Sequence, residues 1–320
     1  MSPEEGCTAF APATVGNVIC GFDIFGLALE APGDRVTAWP SSRPGVRIRE
    51  IAGDGGRLPK NPDRNSATVA IRALLLSTGR HDGIEVSILK GLPLSGGMGG
   101  SAASAVAGVI AADALLGTKA PLEVLLQCSV EGEATASGGA HLDNVAPALY
   151  GGLVLVRPGR SRPVVRLPIP QELHVSLLHP EVEVSTREAR RVLGTSVPLA
   201  EAVAQWGSTA AFVHALHSGD WDLLQDSLQD RIAEPRRAHL IPGFEAVRQA
   251  ALDAGALACG ISGAGPSMLS LCRGAERARA VGEAMASAFH QSVKFEASLH
   301  LSPVAERGAR VEASSAETSG

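Results

Sequence analysis

The sequence predicts a mixed α/β protein of two domains, and three observations support this prediction. The chain has 320 residues, enough for two domains of about 100–200 residues each. Apolar residues make up 45% of it and charged residues 19%, without a long polar tract, which is typical of folded globular proteins. Short alternating segments with strand character are interleaved with apolar segments of helical length, and glycines and prolines separate them.

The first half is predicted to contain six strands and three helices. Alternation of apolar and polar residues marks the strands, glycines at 79 and 117 end two of the helices, and Pro121 opens the third. The strands are expected at residues 7–11, 22–29, 35–39, 46–51, 84–89 and 153–157, and the helices at residues 65–76, 101–116 and 121–135.

Four closely spaced prolines lie between residues 158 and 170, and we place the domain boundary within this segment. The predicted domains are residues 1–160 and 161–302, followed by a polar segment, 303–320, that we expect to be flexible. Strands are expected at residues 173–178, 256–261, 267–271 and 293–299, and helices at residues 198–217, 244–254 and 276–289. This order of strand, helices, strand, strand, helix and strand is typical of a ferredoxin-like domain.

Composition argues against several classes of function. The net charge is −5 and no dense run of Lys or Arg occurs, so nucleic acid is not an expected partner. No apolar run approaches the roughly 20 residues that cross a membrane, and the acidic N-terminus does not resemble a secretion signal. The five scattered cysteines contain no C-x-x-C pair, so neither a disulfide framework nor a zinc site is expected. The predicted location is the cytoplasm.

The segment from Gly91 to Ser104, between a predicted strand and a predicted helix, is the most informative part of the sequence. Four of the five positions from 96 to 100 are glycine, which lets backbone N–H groups turn inward without obstruction by a Cβ atom. The free N–H groups of the following helix point into the same volume, which favours a polyphosphate. The lysine of a Walker loop is absent. The alternative interpretation is a glycine-rich turn without a ligand.

The pattern of this loop, P-x-x-x-G-M-G-G-S-A-A, resembles the second motif of the GHMP kinases, which bind ATP with it. The resemblance implies that Ser101 contacts Mg²⁺ and that Asn65 lies near the adenine. The sequence departs from the common pattern at Ser95 and Gly100, where Gly and Ser are more frequent. The residues that the resemblance assigns to ATP are Asn65, Pro93, Leu94, Ser95, Gly96, Gly97, Met98, Gly99, Gly100, Ser101, Ala102 and Ala103.

The segments A-P-A-T-V-G-N, ending at Asn17, and G-F-D, ending at Asp23, resemble the N-terminus of homoserine kinases. In that family the two residues face the amino-acid substrate. Asp23 would accept a hydrogen bond from the hydroxyl to be phosphorylated, and Asn17 would fix its orientation. Taken alone, the two residues also suit a turn and a helix cap.

A third cluster runs from Glu133 to H-L-D-N-V-A-P, which begins at His141. Homoserine kinases carry a similar segment. The resemblance makes Glu133 a Mg²⁺ ligand and places His141, Asp143 and Asn144 against the substrate. From the residues alone, Glu133 is equally a solvated carboxylate at a helix end. A general acid–base role for His141 and Asp143 is left open, because phosphoryl transfer depends more on positioning and charge neutralisation.

Two arginine motifs, S-T-R-E-A-R and E-P-R-R, also resemble homoserine kinases and yield Thr186, Arg190 and Arg237 as substrate-binding positions. Arginine binds a carboxylate with two hydrogen bonds, although most arginines are simply surface residues. The segment G-I-S-G-A-G-P-S, which contains Gly263, resembles the third GHMP motif, whose glycines approach the phosphate loop and the substrate.

The resemblance implies a GHMP kinase fold with a left-handed βαβ crossover in its N-terminal ATP-binding domain and a ferredoxin-like C-terminal domain. The expected reaction is ATP- and Mg²⁺-dependent phosphorylation of L-homoserine to O-phospho-L-homoserine for threonine biosynthesis. Asp23, Asn144 and Arg190 are assigned to catalysis. The alternatives are a GHMP kinase for another small alcohol and a nucleotide-binding regulator without activity. The sequence does not give the oligomeric state, and a homodimer is the assembly considered.

Overall fold

The computed structural model describes residues 6–313, so residues 1–5 and the part of the predicted tail beyond residue 313 lie outside the described residues. Its strands are β1 (Cys7–Gly16), β2 (Phe25–Ser41), β3 (Gly45–Ala52), β4 (Gly83–Leu89), β5 (Leu153–Val156), β6 (Val164–Leu167), β7 (Leu173–Pro180), β8 (Ala258–Ile261), β9 (Met268–Arg273), β10 (Ala297–Pro303) and β11 (Arg310–Val311). Its α-helices are α1 (Ser66–Ser77), α2 (Gly100–Leu116), α3 (Leu122–Ser137), α4 (Leu142–Tyr150), α5 (Thr186–Arg191), α6 (Leu199–Ser218), α7 (Trp221–Ser227), α8 (Glu234–Arg237), α9 (Phe244–Asp253) and α10 (Ala275–Ser292). Across the described residues, none of these helices combines the length and apolar character needed to cross a membrane.

The first sheet has seven strands in the order β11-β1-β2-β4-β3, with β5 paired to β2 and β6 to β5. β3 and β4 are parallel and are joined through α1, so this is the unit to which the predicted left-handed crossover refers. The glycine-rich loop follows β4 and leads directly into α2, which packs on β1 and β2. The loop therefore lies at the end of a buried strand and at the start of a buried helix, as predicted.

Helix α4 was not predicted from the sequence, because Pro147 lies inside it. A proline within a helix has no N–H to donate to the carbonyl four residues earlier, which here belongs to Asp143. Gly26 of β2 packs directly against that carbonyl, and a Cβ atom at Gly26 would lie 1.8 Å from the Asp143 oxygen. The absence of a side chain at Gly26 thus lets the first turn of α4 reach the sheet and positions Asp143 and Asn144.

The second sheet has the order β10-β7-β9-β8, and all of its neighbouring strands are antiparallel. With the helical segments after β7 and with α10 after β9, this is the predicted ferredoxin-like arrangement, which the topology confirms. The connection from β7 to β8 is long and contains α5 to α9. Two of these helices, α5 and α8, carry the arginines that the sequence singles out.

One hydrophobic core extends across both sheets. Alternate residues of β7 point to opposite faces of the sheet, so Val175 and Leu177 join the core of the first sheet, whereas Leu178 packs with α9 and α10. Helix α6 contributes to the same shared core, where the rings of Phe212 and Phe25 lie 5.0 Å apart. The two halves are therefore packed against each other through apolar side chains.

Two details differ from the predicted domain division. Residues 164–167 form β6 and pair with β5, so the first sheet continues past residue 160, because the prolines flank this strand without interrupting it. The segment from residue 303, expected to be flexible, is bound to the first sheet within the described residues. Val304 and Ala305 are buried, β11 pairs with β1, and Glu312 forms an ion pair with Arg35.

Candidate active site

A cleft of about 600 Å³ lies where the glycine-rich loop meets the second half of the chain. It brings together most of the site residues predicted from the sequence. Those that line it are Asn17, Asp23, Asn65, Pro93, Leu94, Ser95, Gly96, Gly97, Gly99, Gly100, Ser101, Glu133, His141, Asp143, Asn144, Thr186, Arg190, Arg237 and Gly263. Three predicted ATP contacts do not line it: Met98, Ala102 and Ala103 are buried in the core, and the N–H of Ala103 donates to the Gly99 carbonyl.

The backbone of the glycine-rich loop requires small residues at two points. Gly97 and Gly99 have φ values of 69° and 66°, in the left-handed region. A Cβ atom would lie 2.5 Å from the Ser262 carbonyl oxygen at Gly97 and 2.0 Å from the Thr14 hydroxyl at Gly99. Gly99 is also the N-cap of α2 and supplies no side-chain acceptor. The N-terminal N–H groups of α2 therefore remain directed towards the cleft, which suits an anionic ligand.

The second half of the chain holds the tip of this loop through two serines. The hydroxyl of Ser262 donates to the Gly97 carbonyl at 2.6 Å, and that of Ser267 donates to the Gly96 carbonyl. His179 Nδ1 lies 3.0 Å from the Ser267 hydroxyl, which is then left to accept from it. Burial lowers the pKa of His179, because the charged imidazolium is disfavoured away from water. The loop carbonyls are thus drawn outward, and the N–H groups are left for the cleft.

Asn17 lines the cleft and begins a strained turn. Asn17, Val18 and Ile19 all have positive φ values, as does Asp23, a conformation that costs non-glycine residues about 1–2 kcal/mol each. The Asn17 side chain stabilises the turn by accepting from the Asp23 N–H at 3.0 Å and donating to the Gly263 carbonyl at 2.8 Å. The turn therefore holds Asp23 in place and links it to the third predicted motif.

Asp23 and Arg190 form a bidentate ion pair, with N–O distances of 2.5 and 2.7 Å. The guanidinium of Arg190 also lies 5.3 Å from the ring centre of Phe22, and that of Arg237 lies 5.1 Å from the same ring. Arg237 is buried and donates to the carbonyls of Ala189 and Gly263. Burial and the neighbouring Arg190 lower the pKa of Arg237, as expected for two cations that share one region.

Helix α4 and the end of α3 complete the cleft. The His141 Nδ1 atom lies 3.2 Å from Glu133 Oε1, and this hydrogen bond raises the pKa of His141. Asn144 accepts a hydrogen bond from the Thr14 hydroxyl at 2.9 Å. Burial raises the pKa of Asp143 to about 6, and the nearby charge of Asp23 adds to this effect. Asp143 is therefore a buried carboxyl group that holds its proton more tightly than an exposed aspartate does.

Asn65 has a structural role in addition to its position on the cleft. Its side chain caps α1 by accepting from the Ala67 N–H at 3.1 Å.

Several residues that line the cleft could not be identified from the sequence, among them Lys90, Ser104, Arg57 and Glu183. Arg57 and Glu183 pair with each other across the cleft. The signal available for Lys90 was a single charge at the end of an alternating strand, immediately before the loop.

Glu234 of the E-P-R-R motif is buried, and one carboxylate oxygen has no hydrogen-bond partner. Burial raises its pKa from the ordinary value of 4.5 to about 7; Arg248 opposes this effect, and Asp230 and Glu245 add to it. The folded protein therefore holds this proton more tightly than the unfolded chain does, so the contribution of Glu234 to stability is lost as pH rises from about 4.5 to 7.

We expect Glu234 to make the protein about 2 kcal/mol more stable at pH 5.5 than at pH 8, and we expect Glu234→Gln to remove this difference. Urea unfolding of both proteins at the two pH values measures it. Glu283→Gln, on an exposed face of α10 and not among the groups that shift the pKa of Glu234, is the control and should keep the pH dependence. An unchanged pH dependence in Glu234→Gln would show that Glu234 does not titrate in this range.

This fold and this cleft define a class of protein, the GHMP kinases. A kinase of this class binds ATP at a glycine-rich loop between two such domains. Residues 65–152 match the GHMP kinases N terminal domain, and residues 212–291 match the GHMP kinases C terminal family. Within that class, the chain belongs to the homoserine kinase family.

Three comparisons support the narrower assignment. A homoserine kinase of Chlorobium phaeovibrioides is 45% identical over 313 residues, covering 94% of this chain and 98% of the relative. A homoserine kinase of Chlorobium phaeobacteroides is 43% identical over 315 residues, covering 95% and 98%. The crystal structure of homoserine kinase from Cytophaga hutchinsonii superposes with a TM-score of 0.94 at 46% identity, covering 98% of this chain and 99% of that one. These comparisons confirm the predicted family.

Proposed function

We infer that this protein acts as a homoserine kinase. It transfers the γ-phosphoryl group of ATP to the side-chain hydroxyl of L-homoserine and yields O-phospho-L-homoserine for threonine biosynthesis. The observation that carries the inference is one cleft that is lined both by the glycine-rich loop and by the Asp23–Arg190 pair. The relatives named above supply the identity of the alcohol.

The donor set of the cleft fits Mg²⁺, which prefers oxygen ligands and retains water and phosphate oxygens. The carboxylate of Glu133 and the hydroxyl of Ser101, at the start of α2, both face the cleft. Within residues 6–313 no group of three or more His, Cys, Asp or Glu side chains is arranged to hold a metal ion. We therefore propose a site with these two protein ligands. A bound Mg²⁺ would neutralise phosphate charge during transfer.

The charged residues that line the cleft outside the loop suit an amino acid. The buried cation of Arg237, with Arg190 close by, offers hydrogen bonds to an α-carboxylate. The buried carboxylate of Asp143 complements an α-ammonium group. These opposite charges would fix the substrate so that its hydroxyl points towards Asp23. His141 and Thr186 line the same region.

Catalysis in this arrangement rests on positioning and charge. Both oxygens of Asp23 accept from Arg190, so Asp23 is suited to orient the hydroxyl and to accept its hydrogen bond. Arg190 stabilises negative charge on the phosphoryl group in transit, and the N–H groups of residues 96–101 hold the remaining phosphates. Asn144, held by Thr14, lies on the cleft wall between these groups.

The experiment that tests the function measures ADP release from Mg·ATP by the purified protein. The acceptors are L-homoserine, L-serine, L-threonine, mevalonate and galactose, with detection of the phosphorylated product. We expect release with L-homoserine at least about tenfold above the other acceptors. Selective release with another alcohol would preserve the kinase chemistry and overturn the homoserine assignment. Nucleotide binding without turnover of any acceptor would indicate an inactive regulator.

We further propose a cytoplasmic homodimer. All five cysteines are unpaired, which suits a reducing compartment.

The proposed homodimer rests on an exposed apolar row on one face of α6. The row consists of Leu199, Val203 and Trp206, with Trp206 63% exposed. Such a row is typical of a surface that contacts another protein. Light scattering gives the assembly directly, and a monomeric mass at micromolar concentration would overturn the dimer.

A further inference from the structure

A cluster of buried polar residues lies directly beneath the glycine-rich loop, where Lys90 and Ser104 reach the cleft wall. Its centre is Asp34 of β2, whose side chain is fully buried. One oxygen, Oδ1, accepts from the N–H groups of Gly91 at 3.0 Å and Leu92 at 3.2 Å. The other, Oδ2, accepts from the Ser104 hydroxyl at 2.7 Å and from the ammonium of Lys90. The carboxylate therefore has four hydrogen bonds.

Lys90, the last residue before the loop, is the partner of Asp34, and its side chain is only 2% exposed. Its ammonium donates to Asp34 Oδ2, to the Gly100 carbonyl at 2.8 Å and to the Ser104 hydroxyl at 2.9 Å. An ammonium group has three N–H donors, and all three are used within the protein. Lys90 therefore has no donor left for a phosphate, although it lies on the cleft wall.

The partners of this cluster lie at the two ends of the loop. Gly91 and Leu92 are the residues at which the chain leaves β4, whereas Gly100 and Ser104 belong to the first two turns of α2. A loop so rich in glycine has large conformational freedom and few side chains with which to restrict it. The Asp34–Lys90–Ser104 cluster supplies the restriction from outside by joining the two ends of the loop to each other and to β2.

We propose that Lys90 and Asp34 are positioning residues for the phosphates of ATP: they fix the ends of the loop so that its N–H groups converge on one point. The inference deepens the proposed function and rests on it, since it assumes that this loop binds the phosphates. Because the cluster acts on the loop alone, it contributes to binding of the phosphates and leaves binding of the nucleoside unaffected.

The test compares the affinities for Mg·ADP and adenosine, measured by calorimetry without homoserine. We expect Lys90→Met and the charge-free double variant Asp34→Asn/Lys90→Met to weaken Mg·ADP binding by about 10- to 100-fold and to leave adenosine binding within about twofold of the wild type. Arg35→Met is the matched control, because it removes a neighbouring charge on β2 that pairs with Glu312 at the far side of the sheet. It should change neither affinity.

Equal losses of ADP and adenosine affinity, or folded variants with unchanged ADP affinity, would overturn the proposal. If the Lys90 variants do not fold, Ser104→Ala provides the test, because it removes two hydrogen bonds and leaves the charges paired. It should weaken Mg·ADP binding by about three- to tenfold, with adenosine binding unchanged. A wild-type protein that binds Mg·ADP but does not phosphorylate homoserine would contradict the substrate assignment alone and would leave this inference standing.

Discussion

Replacing Glu133 by glutamine should lower turnover at least about 100-fold while the fold is preserved. Glutamine matches the shape of glutamate, so the buried position on α3 is retained, but the neutral amide is a weak ligand for Mg²⁺. The hydrogen bond to Glu133 is also the main cause of the raised pKa of His141. The variant should therefore lower the pKa of His141, which NMR titration can follow independently of activity.

The matched control is Glu131→Gln, which makes the same change two residues earlier on an exposed face of the same helix. Its turnover should equal that of the wild type within about twofold. Both variants are assayed at saturating Mg²⁺, ATP and homoserine, and their thermal unfolding is compared with that of the wild type. Near-normal turnover of a folded Glu133→Gln protein would remove Glu133 from the proposed metal site.

Replacing Arg190 by lysine should reduce kcat about 1,000-fold, with little change in KM for ATP. Lysine keeps the positive charge, but it cannot form the two parallel hydrogen bonds to Asp23 or stack as a planar group on Phe22. The fixed orientation of Asp23 and the fixed position of the positive charge beside Phe22 are then lost. Because these interactions matter most during transfer, the loss should fall on kcat.

Arg191→Lys is the control for this change, because Arg191 is the next residue of α5 and its side chain is 78% exposed. It should retain full activity. Steady-state kinetics of the two variants, measured in parallel, distinguish an effect specific to Arg190 from a general effect of an Arg-to-Lys change in α5. A kcat for Arg190→Lys within tenfold of the wild type would show that a positive charge suffices there, and that the bidentate geometry is not required.

The glycine-rich loop could be predicted from the sequence because its chemistry is local. The glycines, the preceding strand and the following helix occupy one continuous segment. The free N–H groups of the loop and of the helix N-terminus are enough to predict an anion site there. Asn17, Asp23, Arg190 and Arg237 are far apart in the chain, and only the resemblance joined them. The structure brings them together because the turn at Asn17 contacts Gly263 and because both arginines lie beside Phe22.

The features that the sequence did not reveal depend on contacts between distant residues. Asp34 and Lys90 are 56 residues apart, and each alone is indistinguishable from an exposed charge on a strand. Helix α4 was hidden by Pro147, which the fold accommodates only because Gly26 lies opposite. Met98, Ala102 and Ala103 share the motif with the phosphate contacts but face inward. Motif membership alone does not distinguish a residue that faces the ligand from one that packs beneath it.

The pairing of residues 304–312 with the first sheet has a consequence for the chain while it is being translated. β1 leaves the ribosome well before β11, which is translated about 300 residues later, yet β11 pairs with the outer edge of β1 at Ala9 and Phe10. At typical synthesis rates of about 5–20 residues per second, that edge stays unpaired for roughly 15–60 seconds in the nascent chain. An open strand edge is a template for unwanted pairing between chains. The N-terminal half therefore relies on the most distal part of the described chain to close the edge that its first strand leaves open.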